Sequence, residues 1–219
     1  MFRSRMNGRS NRIAVLSGWM IFAAAAATVP VATSAAAEAS TASSSPQVTT
    51  AQIPAEKQTV LGLYVTAKEA YQRWEAAPDK VKIIDVRTPE EVFWVGHPPM
   101  AWKIPVVAVT YEWDADKKQF PRRPLPEVVT RVQSVATPDD TLMVMCRSGG
   151  RGAMAVNLLA KAGYKNVYNV IDGMEGDSVD DPESVFQGQR LVNGWKNSGL
   201  PWTYKVDPAR MVLPPAPRE

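Results

Sequence analysis

The chain has 219 residues, with 25 Lys and Arg against 22 Asp and Glu, and a formal net charge of +3. Four of the basic residues stand within the first twelve positions, where no acidic residue occurs, so the rest of the chain is close to neutral. The composition therefore predicts no nucleic-acid partner. One Cys and one His cannot supply the usual zinc ligand set, and neither a metal nor a cofactor is predicted.

The N-terminus has the three parts of a secretory signal peptide. The basic start is followed by a mostly apolar run, 13–29, and then by small residues that end in Ala35-x-Ala37. This order predicts a signal peptide over 1–37 and a periplasmic or secreted protein without a stable membrane anchor. An uncleaved anchor is the alternative, but the run is rich in alanine and short for a span of about 20 residues.

Two more segments lie outside the predicted domain. Residues 38–58 are rich in Ala, Ser, Thr and Gln and lack periodic apolar positions, which predicts a flexible leader. Residues 208–219 are rich in proline, which predicts an extended tail. About 150 residues remain, at 59–207, and these suffice for one core but are too few for two ordinary domains.

Helix and strand patterns alternate through the domain. In chain order we predict a helix at 66–77, a strand at 82–86, a helix from Thr88 to Gly96, a strand within 102–109, a surface loop at 111–124, a helix at 126–135, a strand at 141–145, a helix at 153–162 and a strand at 167–171. The continuous apolar run at 141–145 is typical of a central parallel strand covered on both faces. The alternation predicts an α/β fold with a central parallel sheet flanked by helices on both faces.

The single cysteine, Cys146, follows the predicted central strand and opens a glycine-rich loop before the next helix. The other loop residues are Arg147, Ser148, Gly149, Gly150, Arg151 and Gly152. Ligands bind beyond the C-terminal ends of strands in such sheets, and curled loop amides at a helix N-terminus favour an anion. With two arginines nearby, the segment predicts a nucleophilic thiolate and an anionic substrate. A small, inert core cysteine is the alternative.

The loop resembles the Cys-Arg-x-Gly-x-Arg active-site loop of the rhodanese homology family. The matching positions across roughly residues 60 to 203 are Cys146, Arg147, Gly149 and Arg151, preceded by Asp85-Val86-Arg87, Gly96-His97 and Ile104-Pro105, and followed by Gly194-Trp195 and Gly199-Leu200-Pro201. The sequence departs from the family at Gly152, where many members have Ser or Thr, and at Pro98-Pro99. Residues 111–124 and 174–188 look like insertions, and the second should lie near the mouth of the loop.

This resemblance implies a rhodanese-like fold and a sulfurtransferase that uses no cofactor. Cys146 would take sulfane sulfur from thiosulfate or a persulfide donor and pass it to a thiol, cyanide or protein acceptor. The loop residues 147–152 would bind the substrate, with Arg151 folded over the anion and Arg147 pointing outward. Asp85 and Arg87 could form a buried pair that supports the loop, or a simple cap or surface pair. His97 is interpreted as structural.

Two other functions are considered. A non-catalytic rhodanese-like module would deliver sulfur to, or dock on, one exported partner, and the two insertions favour this possibility. A Cys-based phosphatase or arsenate reductase is disfavoured, because four residues separate Cys146 from Arg151. The related phosphatases have a longer loop that accommodates a phosphate.

Overall fold

A computed structural model of the protein describes residues 53–214. Its elements in chain order are β1 (Tyr64–Val65), α1 (Ala67–Ala76), β2 (Val81–Asp85), α2 (Pro89–Val95), β3 (Trp102–Lys103), β4 (Val107–Val109), β5 (Arg122–Pro124), α3 (Val128–Gln133), β6 (Thr141–Met145), α4 (Gly150–Lys161) and β7 (Val167–Val170). The signal peptide predicted over 1–37 and most of the predicted leader lie outside the described residues. Within the described part, none of the helices combines the length and apolar character that a membrane span requires.

Five strands form a parallel sheet in the order β1-β7-β6-β2-β3. The central strand β6 has apolar residues on both faces, with Leu142 and Val144 in one hydrophobic core and Met143 and Met145 in the other. Both cores are covered by helices and loops, so the prediction of a parallel α/β sheet flanked on both faces is confirmed. Cys146 follows β6 directly, at the C-terminal edge of the sheet.

The first two helices begin at capping boxes. Thr66 accepts a hydrogen bond from the Glu69 amide at the start of α1, and Thr88 does the same with the Glu91 amide at the start of α2. In each box the glutamate side chain also accepts from the backbone N–H of the threonine. The capping box of α2 fixes Glu91 in the first turn, from which its carboxylate reaches the Cys146 loop.

Three segments differ from the sequence prediction. Residues 111–124, predicted as a surface loop, include β5. This strand pairs antiparallel with β4, and a bridge between Asp114 and Gln119 continues the pairing towards the turn of the hairpin. Helix α4 begins at Gly150 rather than 153, because the turn is completed at Gly149, whose φ is 101°. The sequence pattern also gave no sign of the two-residue strand β1.

The structured part of the chain extends beyond the predicted domain at both ends. Ala55–Lys57, assigned to the flexible leader, form a 3-10 helix that packs against α4. In the C-terminal segment, Pro208–Arg210 form a second 3-10 helix, and the Val212 amide donates to the carbonyl oxygen of Lys103 on β3. Both ends are held by hydrogen bonds to the domain, which composition alone does not reveal.

Candidate active site

Cys146 lies inside the loop that joins β6 to α4, and only 1% of its surface is exposed. The Gly149 amide donates to the Cys146 Sγ over 3.2 Å. This turn requires glycine, because a Cβ on Gly149 would lie 2.5 Å from the carbonyl oxygen of Ile171 and because φ is 101°. The loop backbone is therefore folded around the sulfur atom.

The start of α4 supplies further donors. Within residues 53–214, the first-turn amides of Gly150, Arg151 and Gly152 donate to no protein acceptor. They stand at the positive end of a twelve-residue helix that begins immediately after the loop. Such an end favours a negatively charged sulfur or oxygen atom beside it.

The other side of the loop is fixed by the start of the second insertion. The amides of Met174 and Glu175 donate to the carbonyl oxygens of Cys146 and Arg147 over 2.8 and 3.0 Å. Gly173 permits this approach, since a Cβ there would lie 2.5 Å from the Cys146 carbonyl oxygen. The insertion at 174–188 thus begins directly against the loop.

Arg151 is held in an ion pair with α2. Its two terminal nitrogens donate to the two carboxylate oxygens of Glu91 over 2.5 and 2.6 Å. The forked donor pair of Arg151, which is predicted to fold over a bound anion, is occupied by this carboxylate in the structure. Burial alone would lower the pKa of Arg151, but the hydrogen bond and the charge of Glu91, with a smaller effect from Cys146, raise it.

Arg147 and Ser148 have a different environment. Both are half-buried, and among residues 53–214 neither side chain has a hydrogen-bonding or ion-pairing partner. Arg147 directly follows Cys146 in the chain. Of the two arginines in the loop, it is therefore the one whose guanidinium has no carboxylate partner within the described residues.

Asp85 and Arg87 form a completely buried ion pair at the end of β2. Arg87 donates to both carboxylate oxygens of Asp85, the shortest contact being 2.7 Å, and to the carbonyl oxygen of Gly96 over 2.8 Å. Burial alone would lower the pKa of Arg87, but the charge and hydrogen bonds of Asp85 raise it. The pair joins the end of β2 to the chain that follows α2.

His97 lies in the same region in a structural setting. It exchanges two backbone hydrogen bonds with Thr203, both of 2.9 Å, and its Nδ1 lies 3.0 Å from the carbonyl oxygen of Pro98. Burial lowers the pKa of its imidazole. Within residues 53–214, no three His, Cys, Asp or Glu side chains gather as a metal site requires.

Two residues with roles at the site were not recognised from the sequence. Glu91 lies inside the helix that is predicted from Thr88 to Gly96, but the sequence pattern does not indicate that its carboxylate holds Arg151. Asn169 was placed in a strand, whereas its side chain bonds the loop at Gly149. A polar residue inside the apolar run of β7 was the available signal for Asn169. The partner of Glu91 lies 60 residues away in the chain, and local patterns contain no such signal.

The Glu91 carboxylate predicts a pH-dependent contribution to stability. Burial would raise its pKa, but Arg151, the Thr88 amide and Arg87 lower it from 4.5 to about 2. Because the folded-state pKa is depressed, this stability is present above pH 4.5 and is lost as the pH falls towards 2. We expect Glu91→Gln to remove about 2–3 kcal/mol of unfolding free energy at pH 7, and less below pH 4.

Urea denaturation of wild type and Glu91→Gln between pH 2 and 7 measures this difference. Glu69→Gln is the matched control, because Glu69 occupies the same position in the capping box of α1 and, within residues 53–214, pairs with no arginine. A constant gap between wild type and Glu91→Gln across the whole pH range would contradict the assignment.

This chain is similar in sequence to several known proteins. The family model described as Rhodanese-like domain matches residues 66–178. Protein RC0915 of Rickettsia conorii is 32% identical over 126 residues, which are 58% of this chain and 85% of that protein. Thiosulfate sulfurtransferase 18 of Arabidopsis thaliana is 34% identical over 90 residues, 41% of this chain and 61% of that protein. The crystal structure of Rv0390 from M. tuberculosis is similar to this chain with a TM-score of 0.48 and 25% sequence identity. The match covers 64% of this chain and 96% of the Rv0390 chain.

Proposed function

Because the chain belongs to the rhodanese-like domain family, we propose that it is a sulfurtransferase that carries sulfane sulfur as a persulfide on Cys146. One observation carries the proposal: the single thiol of the protein lies at the centre of a loop whose Gly149 amide donates to its Sγ. The similarity to a thiosulfate sulfurtransferase of Arabidopsis thaliana supports the same chemistry.

The proposed reaction has two displacement steps. The Cys146 thiolate attacks the outer sulfur of thiosulfate, the S–S bond of thiosulfate breaks, and sulfite leaves with the electron pair. The enzyme then holds a Cys146 persulfide anion. A thiolate or cyanide acceptor attacks the outer sulfur, the new S–S bond breaks, and the Cys146 thiolate is restored. Charge is conserved in both steps, and no cofactor takes part.

The loop would stabilise each negative charge in turn. The amides of Gly149 to Gly152 would surround the persulfide, since the first-turn amides of α4 donate to no protein acceptor within the described residues. Arg147 would hold the sulfonate end of thiosulfate with its free guanidinium. Arg151 would keep the loop in shape through Glu91 and add positive charge near the sulfur.

A non-catalytic sulfur-delivery or docking module is the second candidate. The observation that favours it is the burial of Cys146, which is 1% exposed and packs with the core around β6. A buried thiol can be an inert core residue. The two functions differ in whether Cys146 accepts sulfur from a small donor.

Mass spectrometry of the intact protein tests the proposed function. Exposure to thiosulfate should add one sulfur atom, about 32 Da, to Cys146, because the thiolate retains the outer sulfur of the donor. Cyanide or dithiothreitol should remove it. A protein whose mass does not change, although iodoacetamide alkylates its thiol, would support the docking module instead.

The two arginines should have separable effects on kinetics. Arg147→Ala should raise the KM for thiosulfate by about ten- to a hundredfold with little change in kcat, because one charge-assisted contact to the sulfonate is lost. A neutral persulfide donor should show a smaller rise. Arg151→Ala should lower the rate with both donors alike, because it frees Glu91 and loosens the loop.

Steady-state kinetics of both variants with both donors measure these effects. A larger, donor-specific rise in KM for Arg151→Ala than for Arg147→Ala would reverse the two roles. In that case substrate binding would have to displace Arg151 from Glu91.

Export is proposed from the sequence of the N-terminus. The basic start, the apolar run 13–29 and the small residues before Glu38 support cleavage after Ala37 and a periplasmic or secreted domain. The proposed partners are then a small anionic sulfur donor and a thiol, cyanide or protein acceptor. N-terminal sequencing of protein from the native cell envelope checks the cleavage, and intact residues 1–37 in the membrane fraction would indicate an anchor.

A further inference from the structure

One polar side chain is completely buried in the sheet beside the Cys146 loop. Asn169 lies on β7 opposite Val144 of the central strand, and both residues have no exposed surface. Its Nδ2 donates to the carbonyl oxygens of Gly149 over 3.2 Å and of Lys57 over 2.9 Å. The side chain therefore joins the loop to the segment that was predicted as a flexible leader.

The oxygen of the same amide group has no hydrogen-bond partner within residues 53–214. It faces the start of α4, where a Cβ on Gly152 would lie 2.3 Å away from it. A buried, unsatisfied oxygen lowers stability, and an apolar residue would avoid that cost at this strand position. A role beyond packing is needed to explain an asparagine here.

Gly149 connects Asn169 to the sulfur atom of Cys146. Its N–H donates to the Cys146 Sγ, and its carbonyl oxygen accepts from Asn169 and from the Ala153 amide. Glycine rotates freely about φ and ψ, so a loop of glycines does not hold its amides in one direction by itself. Hydrogen bonds to the carbonyl oxygen restrict ψ of Gly149, and so help to hold the turn in which the Gly149 amide lies beside the sulfur.

The leader completes this support from outside the loop. The Cδ of Lys57 lies 2.9 Å from the place that a Cβ on Gly149 would take, and the Glu56 carbonyl oxygen lies 3.6 Å from the corresponding place on Gly150. The Lys57 Nζ donates to Asp177 of the second insertion over 2.7 Å. The Asp177 amide in turn donates to the Asn193 Oδ1 over 2.8 Å, and the Asn193 Nδ2 donates to the Asp177 carboxylate over 3.0 Å.

We propose that Asn169 is a positioning residue for Cys146, and that it acts together with Lys57, whose backbone and side chain link the loop to the second insertion. Asn169 aligns Gly149, and the Gly149 amide stabilises the thiolate. This inference rests on the proposed function in taking Cys146 as the reactive group. Its test, however, measures the reactivity of the thiol and needs no sulfur transfer.

The rate of Cys146 alkylation by iodoacetamide, measured against pH on the full chain, is the readout. In Asn169→Ala the half-maximal rate should move to higher pH, and the rate at pH 7 should fall roughly tenfold, because the thiolate loses an aligned donor. The limiting rate at high pH should be unchanged or greater. Asn157→Ala is the matched control, since Asn157 accepts from the Val60 amide and, among the described residues, its side chain makes no hydrogen bond to the Cys146 loop.

Two milder variants test the leader without altering the sheet. Lys57→Met removes the 2.7 Å contact between Lys57 and Asp177, Asp177→Asn removes the negative charge of that contact, and both leave Asn169 in place. Both should move the half-maximal rate in the same direction by a smaller amount, roughly two- to threefold at pH 7. Profiles that match wild type in both variants would remove the leader from the proposal.

The outcomes separate this inference from the proposed function. If Asn169→Ala remains folded and its pH profile superimposes on that of wild type, Asn169 only fills space and the inference is wrong. If Asn169→Ala does not fold, Lys57→Met and Asp177→Asn test the inference instead, and pH profiles that match wild type in both variants contradict it. If the profile moves while wild type gains no sulfur from thiosulfate, the positioning role stands and the sulfurtransferase proposal falls.

Discussion

Cys146→Ser is expected to reduce sulfur transfer from thiosulfate to cyanide by more than about a thousandfold, because no other thiol in the chain can carry the sulfur. A serine hydroxyl is a far weaker nucleophile for sulfur and forms no persulfide. The steady-state rate of thiocyanate formation measures the loss. The variant should also fail to gain mass after exposure to thiosulfate.

The fold should survive this substitution. Serine is close to cysteine in size, and its hydroxyl can accept the hydrogen bond that the Gly149 amide gives to the Cys146 Sγ. Circular dichroism and thermal melting of the variant serve as controls for folding. Sulfur transfer at the wild-type rate in a folded Cys146→Ser protein would show that Cys146 is not the carrier. No turnover in wild type itself would leave the docking module as the function.

Local chemistry made much of this fold predictable. The starts of α1 and α2 were predicted at Thr66 and Thr88, and in the structure both threonines cap their helices with a glutamate three residues later. The central strand was recognised because its run of five residues is apolar on both faces. Alternation of strands and helices then implied a parallel sheet, and a parallel sheet places the Cys146 loop at its C-terminal edge.

Features that depend on distant parts of the chain were not predictable in this way. The ion pair of Arg151 with Glu91 was not predicted, because Glu91 comes from the helix that follows a neighbouring strand. The contact between Lys57 and Asp177 spans 120 residues of sequence. The polar composition of residues 38–58 therefore predicted flexibility at Lys57, for which the fold supplies a distant partner in Asp177. Asn169 shows the intermediate case, since its polarity in a strand is visible but its partners are not.

The buried pair at the end of β2 should make the largest contribution to stability among the ion pairs. Arg87 is completely buried, and Asp85 supplies both the charge and the forked acceptors that its guanidinium contacts. Lys103 on β3 is the residue paired with Asp85 in the sheet register, and it is 1% exposed with no partner for its Nζ within residues 53–214. Burial lowers the pKa of Lys103 to about 8, against the opposing effect of the Asp85 charge.

Asp85→Asn is therefore expected to lower the free energy of unfolding by about 3–5 kcal/mol, because it leaves buried positive charge without a carboxylate. The matched control is Asp140→Asn, which breaks a 2.7 Å pair with Lys82 on the same strand. The Asp140 and Lys82 side chains keep 19% and 21% of their surface exposed, so Asp140→Asn should lower the free energy of unfolding by less than about 1 kcal/mol.

Urea denaturation at pH 7 compares the two variants. Adding Lys103→Met to Asp85→Asn should restore part of the lost stability, because it removes the second buried cation from a site that has lost its carboxylate. Equal costs for Asp85→Asn and Asp140→Asn would show that burial does not set the value of the Asp85–Arg87 pair. If the double variant is no more stable than Asp85→Asn, the loss of stability comes from Arg87 alone. We expect the opposite, because Lys103 is paired with Asp85 in the register of the sheet.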